Sequence, residues 1–185
     1  MTPNTSASGA SARVPGPVPV PGPGTVNWAA FRAAEPEFAA TVERRFRLYR
    51  HQVLATVRQD GSPRVSGLET DFRFGEMLLG MMPRSRKALD LFRDPRFAIQ
   101  ANPGPDAEMA DGDARVGGRA IEVTDPALLA RFIEEATPPE PFHLFRVEIT
   151  EVVHTGMDGE RIVLRSWTPD RGMRTVRRGN EGPAV

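Results

Sequence analysis

The sequence contains no cysteine, a single lysine (Lys87) and only three histidines. Without cysteine, the chain forms no disulfide, thiolate metal site, iron–sulfur cluster or cysteine nucleophile, and it suits a reducing compartment. The histidines, at positions 51, 143 and 154, do not have the spacing of metal ligands. We therefore predict no metal site.

Neither sign of charge predominates, since 24 basic residues balance 24 acidic ones. A broad electrostatic surface for nucleic acid or anionic lipid is therefore not expected. No apolar run approaches the roughly 18–20 residues of a membrane span. The N-terminus also lacks the basic start and apolar core of a secretory signal. These absences predict a soluble, cytoplasmic protein with neither a nucleic-acid nor a membrane partner.

Three segments differ in composition. Residues 1–25 are mostly Pro, Gly, Ser, Thr, Ala and Val, which predicts a disordered, partly polyproline tail. Residues 26–178 are long enough for one domain with a sizeable core. Residues 179–185 are predicted to be a frayed C-terminus.

Apolar periodicity predicts a mainly β fold with three to four helices. Helical spacing runs from Trp28 to about His51, with a break at Pro36, and another helix follows Asp125. Six to seven antiparallel strands, closed into a small barrel, would leave few exposed edges. Gly117 and Gly118 predict a bulge or a close backbone approach within one strand. The predicted strands are 53–57, 64–72, 76–82, 96–100, 113–124, 145–153 and 162–167.

The stretch 82–95 has the features of an anion site on a short helix. Ser85 is the predicted N-cap, with its hydroxyl accepting from a first-turn amide. Arg86 and Lys87 then place two cations in the first turn, against the macrodipole, at about 0.3–1 kcal/mol each. An anion bound between the free amides and the two cations would offset this cost. The alternative is a solvated surface pair.

Motifs for other kinds of catalysis are missing. No Gly-x-Gly-x-x-Gly follows a strand, no phosphate loop ends in lysine, and the carboxylates form no convincing pair. An anion site without acid–base groups indicates that a bound cofactor carries the chemistry.

Three motifs in order resemble the pyridoxamine 5′-phosphate oxidase-like family of split β-barrel flavin and deazaflavin proteins. They are residues 54–65 (LATVRQDGSPRV), Ser85-Arg86-Lys87 and Asp94-Pro95-Arg96, within a similarity over about 46–178. The resemblance implies an FMN-binding split β-barrel and a homodimer with cofactor sites at its interface. It names no catalytic residue. The cofactor-binding residues that it implies are Arg64, Val65, Ser66, Gly80, Met81, Ser85, Arg86, Lys87, Trp167 and Arg177.

The sequence departs from that family at the substrate positions. Glu69 stands where the vitamin oxidases have a lysine for the substrate phosphate, and Met173-Arg174-Thr175 replaces their Arg-Leu-His motif. Like charges brought together can cost several kcal/mol, so pyridoxamine 5′-phosphate is not the expected substrate. Asp113 aligns with a glutamine that contacts the flavin in the oxidases.

The resemblance therefore implies hydride transfer between FMN and a small organic substrate. The first alternative is the deazaflavin F420, since the Arg-, Ala- and Pro-rich composition fits a high-GC genome. The second is a non-catalytic module that stores or senses flavin or haem, with a histidine as the axial ligand of the haem. A core position is the alternative for Trp167, and an exposed strand position at the hairpin is the alternative for Arg64. For Arg177 the alternatives are a solvated basic tail and a weak contact with a nucleic-acid backbone, which the balanced charge disfavours.

Overall fold

The computed structural model describes residues 22–104 and 112–179. Most of the predicted tail, residues 1–21, lies outside the described residues, as do positions 180–185 of the predicted frayed end. No helix in the described parts is long and apolar enough to cross a membrane. Four helices and nine strands follow one another in these parts: α1 (Trp28–Ala34), α2 (Pro36–Leu48), β1 (Gln52–Val57), β2 (Pro63–Leu68), β3 (Thr70–Arg73), β4 (Glu76–Met81), α3 (Arg86–Arg93), β5 (Arg96–Gln100), β6 (Asp113–Glu122), α4 (Pro126–Ala136), β7 (His143–Asp158), β8 (Arg161–Thr168) and β9 (Gly172–Arg178).

The strands form one antiparallel sheet in the order β2-β1-β5-β6-β7-β4-β3. The 16-residue strand β7 also pairs with β8, which in turn pairs with β9. Strands β2 and β3 lie at opposite ends of the main order, yet only Glu69 separates them in sequence. The sheet must therefore curl until its two ends meet, which gives a barrel without a hydrogen-bonded ladder between the end strands.

The predicted fold class is confirmed, but the described chain has nine strands where six to seven were expected. The predicted strand 64–72 divides at Glu69, because β2 pairs with β1 whereas β3 pairs with β4. The arginine-rich run 172–178 forms β9, although it lacks the apolar alternation that marks a strand. Hydrogen-bonded pairing with β8 and a turn at Gly172, whose φ is 67°, fix this segment as a strand.

The main core lies between helices α1 and α2 and one face of the sheet. Phe31 is fully buried, with its ring centroid 5.3 Å from that of Trp28, 5.9 Å from that of Phe38 and 4.8 Å from that of Trp167. These aromatic contacts hold the two helices against strand β8. Helix α4 contributes Phe132 to a second cluster, with Leu78, Val123 and Leu144.

Gly118 permits a close approach between β6 and β7. The register of this strand pair shifts between Gly117 and Gly118. A Cβ atom at Gly118 would lie 2.0 Å from the carbonyl oxygen of Glu148, so no larger residue fits without backbone movement. The predicted bulge is confirmed.

Residues 22–25, which were assigned to the tail, contact the barrel. The amide of Gly22 donates to Glu148 Oε2 at 3.3 Å, and Val26 bridges to Ile149. Glu148 also lies 3.0 Å from the Arg146 guanidinium. Nearby, buried Glu76 accepts from Asn27, and burial raises the pKa of Glu76. A group of buried charges thus lies under the start of the described chain.

Candidate anion site at the start of helix α3

Helix α3 begins directly after the fourth strand of the sheet. Strand β4 ends at Met81, and Arg84 reverses the chain with φ of 57°. The helix then begins at Arg86 and packs Ala88 and Leu91 into the core. Strand β4 and this tight turn fix the position of the cationic first turn.

Ser85 occupies the N-cap position, but the predicted capping bond is wrong. The Ser85 carbonyl accepts from the Leu89 amide, whereas its hydroxyl makes no cap bond. That hydroxyl is shielded from solvent and has no partner among the described residues. The first-turn amides are therefore left without a side-chain acceptor and can bind an external anion.

Asp90 joins α3 to the hairpin formed by β1 and β2. Its Oδ2 accepts from Arg64 Nε at 2.6 Å and from Thr56 Oγ1 at 2.9 Å, and its Oδ1 accepts from Arg93 Nη2 at 3.3 Å. Burial acts to raise the pKa of Asp90, but these hydrogen bonds outweigh it and hold the pKa below its usual range. The ionised carboxylate therefore fixes the Arg64 guanidinium between β2 and α3.

An open cleft of about 490 Å³ lies between this hairpin and α3. We call it the α3 cleft. It brings together two predicted cofactor residues, Arg64 and Arg86. Its lining carries four arginines and two aspartates, so positive charge is in excess. The lining residues are Arg58, Gln59, Asp60, Arg64, Arg86, Leu89, Asp90 and Arg93.

Lys87 lies against the same strand as Arg64 but does not line the cleft. Its Nζ donates to the carbonyl oxygen of Gly67 on β2, and burial lowers the pKa of Lys87. The hydroxyl of the preceding strand residue, Ser66, is shielded and has no partner among the described residues. Lys87 connects α3 to β2. The Ser66 hydroxyl belongs to β2, and the Ser85 hydroxyl belongs to the N-cap of α3.

The other predicted contacts on β2 and β4 differ in exposure. Val65 is 68% exposed, whereas Met81 is 4% exposed and belongs to the core. Gly80 is exposed, and an added Cβ would meet no atom within 4 Å. Of these three residues, Val65 and Gly80 present surface that a ligand can contact.

Trp167 and Arg177 lie in another part of the fold. Trp167 is 4% exposed and packs against Phe31. Arg177 is on β9, where its Nε lies 3.7 Å from Asp158 Oδ2. Strands β1, β5, β6 and β7 separate β2 from β8 in the sheet. One chain therefore does not bring these two residues to the α3 cleft, and their contact with a cofactor stays a prediction.

Sequence reasoning missed the residues that organise the cleft. The sequence predicts no role for Asp90, Arg58 or Arg93. The spacing of Asp90 and Arg93, which allows an i,i+3 ion pair on a helix, was the available signal. The bonds from Asp90 to Thr56 and Arg64 are long-range, and no local pattern indicates them.

None of the three histidines, all of which are described, lines the α3 cleft. His51 Nε2 lies 3.5 Å from Glu69, and His143 Nδ1 lies 3.0 Å from Glu122 Oε1. His154 is buried on β7. No group of three His, Asp or Glu side chains in residues 22–104 and 112–179 is placed to hold a metal ion.

No protein-family model and no curated protein matches the sequence. Solved structures do resemble the fold. A pyridoxamine 5′-phosphate oxidase-related, FMN-binding protein of Nostoc punctiforme matches with a TM-score of 0.56 at 20% identity. The match covers 78% of this chain and 96% of that one.

Two further structures give similar agreement. PhzG of Burkholderia lata, solved with tetrahydrophenazine-1-carboxylic acid, has a TM-score of 0.55 at 14% identity, over 81% of this chain and 92% of its own. A conserved hypothetical protein of Mycobacterium tuberculosis has a TM-score of 0.51 at 23% identity, over 64% and 81%. At such identities the likeness establishes the fold, and the split β-barrel that the resemblance implied is confirmed.

Proposed function

We propose that this split β-barrel binds FMN through the start of α3 and transfers hydride between the flavin and a small organic substrate. One observation carries the proposal: Arg64 and Arg86 line one cationic cleft beside first-turn amides that have no side-chain cap. A phosphate is the kind of anion that such a helix start binds.

The residues of this region fit a phosphate group. Arg86 supplies a guanidinium at the cleft, and Arg64 is held in place by Asp90. Lys87 would add an ammonium, which must leave the Gly67 carbonyl or share its protons with the ligand. The shielded hydroxyls of Ser66 and Ser85 have no partner to lose among the described residues. Charge-assisted bonds of this kind are among the strongest that side chains make.

A bound flavin supplies the hydride chemistry through its isoalloxazine ring. The protein residues bind and orient the cofactor. Arg64, Arg86 and Lys87 would neutralise the phosphate, while Val65 and Gly80 provide exposed surface beside it. No described side chain is assigned an acid–base role.

The active form in this proposal is a homodimer. Val65, Met82, Leu89 and Phe92 are large apolar residues on β2, on α3 and in the turn that precedes α3, and they are 43–76% exposed. Exposed apolar residues grouped beside a ligand cleft are typical of an interface. A second copy of the chain would cover them and could bring Arg177 of its own β9 towards the cofactor.

An absorbance titration of the purified protein with FMN, and separately with F420, tests the proposal. The variant R86Q/K87Q should weaken FMN binding at least tenfold, about 1.4 kcal/mol, because it removes two charge-assisted contacts. The control variant R119Q/R161Q removes two charges from exposed positions outside the α3 cleft and should bind as the wild type does.

Each outcome of the titration has a definite meaning. Unchanged FMN affinity in a folded R86Q/K87Q variant contradicts the phosphate anchor. Preference for F420 keeps the site and changes the cofactor to a deazaflavin. Tight binding of FMN without oxidation of reduced nicotinamide or reduced F420 favours a binding module over an enzyme.

A further inference from the structure

A second cavity, of about 440 Å³, lies between helix α2 and strands β7, β8 and β9. We call it the β8–β9 cavity. It has no lining residue in common with the α3 cleft. In the sheet, strands β1, β5, β6 and β7 lie between β8 and β2. The two cavities are therefore separate features of one chain.

Positive charge dominates the β8–β9 cavity. Arg44 reaches it from α2, Arg165 from β8 and Arg177 from β9. Asp158 is the one acidic residue in its described lining, and it lies 3.7 Å from Arg177. Three guanidinium groups thus face a single carboxylate, which leaves an excess of two positive charges.

Two of these arginines have no carboxylate within ion-pair distance among the described residues. Arg165 instead lies over the ring of Phe38, with 5.8 Å to its centroid, and its Nη2 is 3.5 Å from His154 Nδ1. Arg44 projects from the exposed face of α2. Bringing like charges together is unfavourable unless an anion compensates them.

The cavity walls add neutral hydrogen-bonding groups. Thr175 lies opposite Arg165 in the β8–β9 pairing, so both side chains are on one face of the hairpin. Buried His154 is opposite Arg165 in the β7–β8 pairing and forms part of the cavity wall. A bidentate guanidinium with a hydroxyl beside it matches the oxygens of a carboxylate or a phosphate.

We propose that the β8–β9 cavity is a second binding site, for a small molecule that carries a carboxylate or phosphate group. Arg165 is its central ligand, with Arg44 and Thr175 beside it. Within one chain the two sites have no lining residue in common. The proposal rests on Arg165, Arg44 and Thr175 and not on Arg177, which the proposed dimer would bring towards the cofactor. Carboxylates and phosphates both present oxyanions, and the experiment below distinguishes between them.

Two-dimensional ¹H–¹⁵N NMR can detect binding directly, in the R86Q/K87Q variant so that the α3 cleft does not compete. The protein is titrated with inorganic phosphate and, separately, with malonate, at constant ionic strength set by sodium chloride. We expect saturating shifts of the Arg165 Nε–H signal and of the backbone amides of β8 and β9. The oxyanion with the lower dissociation constant identifies the ligand class.

Matched variants then locate the site. R165Q should weaken binding at least tenfold, whereas R119Q, which removes a charge from an exposed position on β6, should leave it unchanged. If R165Q does not fold, R44Q on the exposed face of α2 gives the same test. Shifts no larger than those from sodium chloride alone, or equal losses in R165Q and R119Q, would overturn the proposal. Neither result would alter the FMN titration of the α3 cleft.

Discussion

The substitution Asp90→Asn tests how the α3 cleft is held together. Asparagine keeps the shape of the side chain but removes the charge that accepts from Arg64, Thr56 and Arg93. A hydrogen bond to a charged group contributes about 1.5–3 kcal/mol to the free energy of unfolding. The partial exposure of Arg64 and Arg93 reduces the contribution of their bonds to Asp90. We therefore expect the free energy of unfolding at pH 7 to fall by about 2–3 kcal/mol in total.

The same contacts predict the pH dependence. The folded-state pKa of Asp90 is lower than the unfolded value of about 3.9, so the contribution of Asp90 is complete above that value. It is lost as the pH falls through the folded pKa, because the unfolded chain then binds the proton more readily. The difference in stability between wild type and D90N should therefore shrink below about pH 4.

Urea unfolding at pH 7, 5 and 3 measures this difference. D71N is the matched control, because Asp71 pairs with Arg73 where both side chains are partly exposed, and exposed pairs contribute about 0–1 kcal/mol. A difference between wild type and D90N that is the same at pH 7 and pH 3 would refute the assigned pKa shift. Equal stability of D90N and wild type at pH 7 would refute the structural role of the carboxylate.

Three further predictions follow from other parts of the fold. G118A should lower the free energy of unfolding by about 3 kcal/mol, because its Cβ would overlap the Glu148 carbonyl. In the control G67A the added Cβ meets no atom within 4 Å, and the denaturant midpoints of the two variants measure the difference. Because burial raises the folded pKa of Glu76, wild-type stability should decline as the pH rises above about 4.3, and E76Q should lack this decline in pH-dependent melting. If Leu89, which is 43% exposed, lies in a dimer interface, L89E should sediment as a monomer while keeping the wild-type circular dichroism spectrum.

Local signals predicted most of the secondary structure, because many elements have a chemical marker at one end. Asp125 caps α4 by accepting from the Ala127 amide, and Gly61 turns the first hairpin with φ of 83°. Strand β9 begins at such a glycine, Gly172, but its arginines give no apolar period. Its formation depends on hydrogen bonds to β8, which the local sequence pattern does not indicate.

The cationic start of α3 was predictable because it breaks a local rule. Arg86 and Lys87 oppose the helix macrodipole, and such a conflict between local preference and sequence indicates a functional site. Asp90 shows no such conflict, and its spacing to Arg93 indicates only an ion pair within the helix. Its role depends on the hairpin that folds over α3, which no spacing within the helix can indicate.

The surroundings of Glu69 change the argument about the substrate. Its carboxylate lies 2.8 Å from Arg50 and 3.5 Å from His51, and the Arg50 guanidinium compensates part of its charge. If a substrate phosphate binds beside Glu69, as the resemblance implies, its repulsion by Glu69 is therefore weaker than repulsion by an isolated carboxylate. The stronger discrimination would then come from the missing lysine, because a phosphate that leaves water at this position would gain no ammonium to replace its hydration. Substitution of Glu69 by alanine should accordingly leave affinity for pyridoxamine 5′-phosphate low, whereas substitution by lysine should raise it. Parallel titrations of the two variants separate repulsion from the absence of a cation.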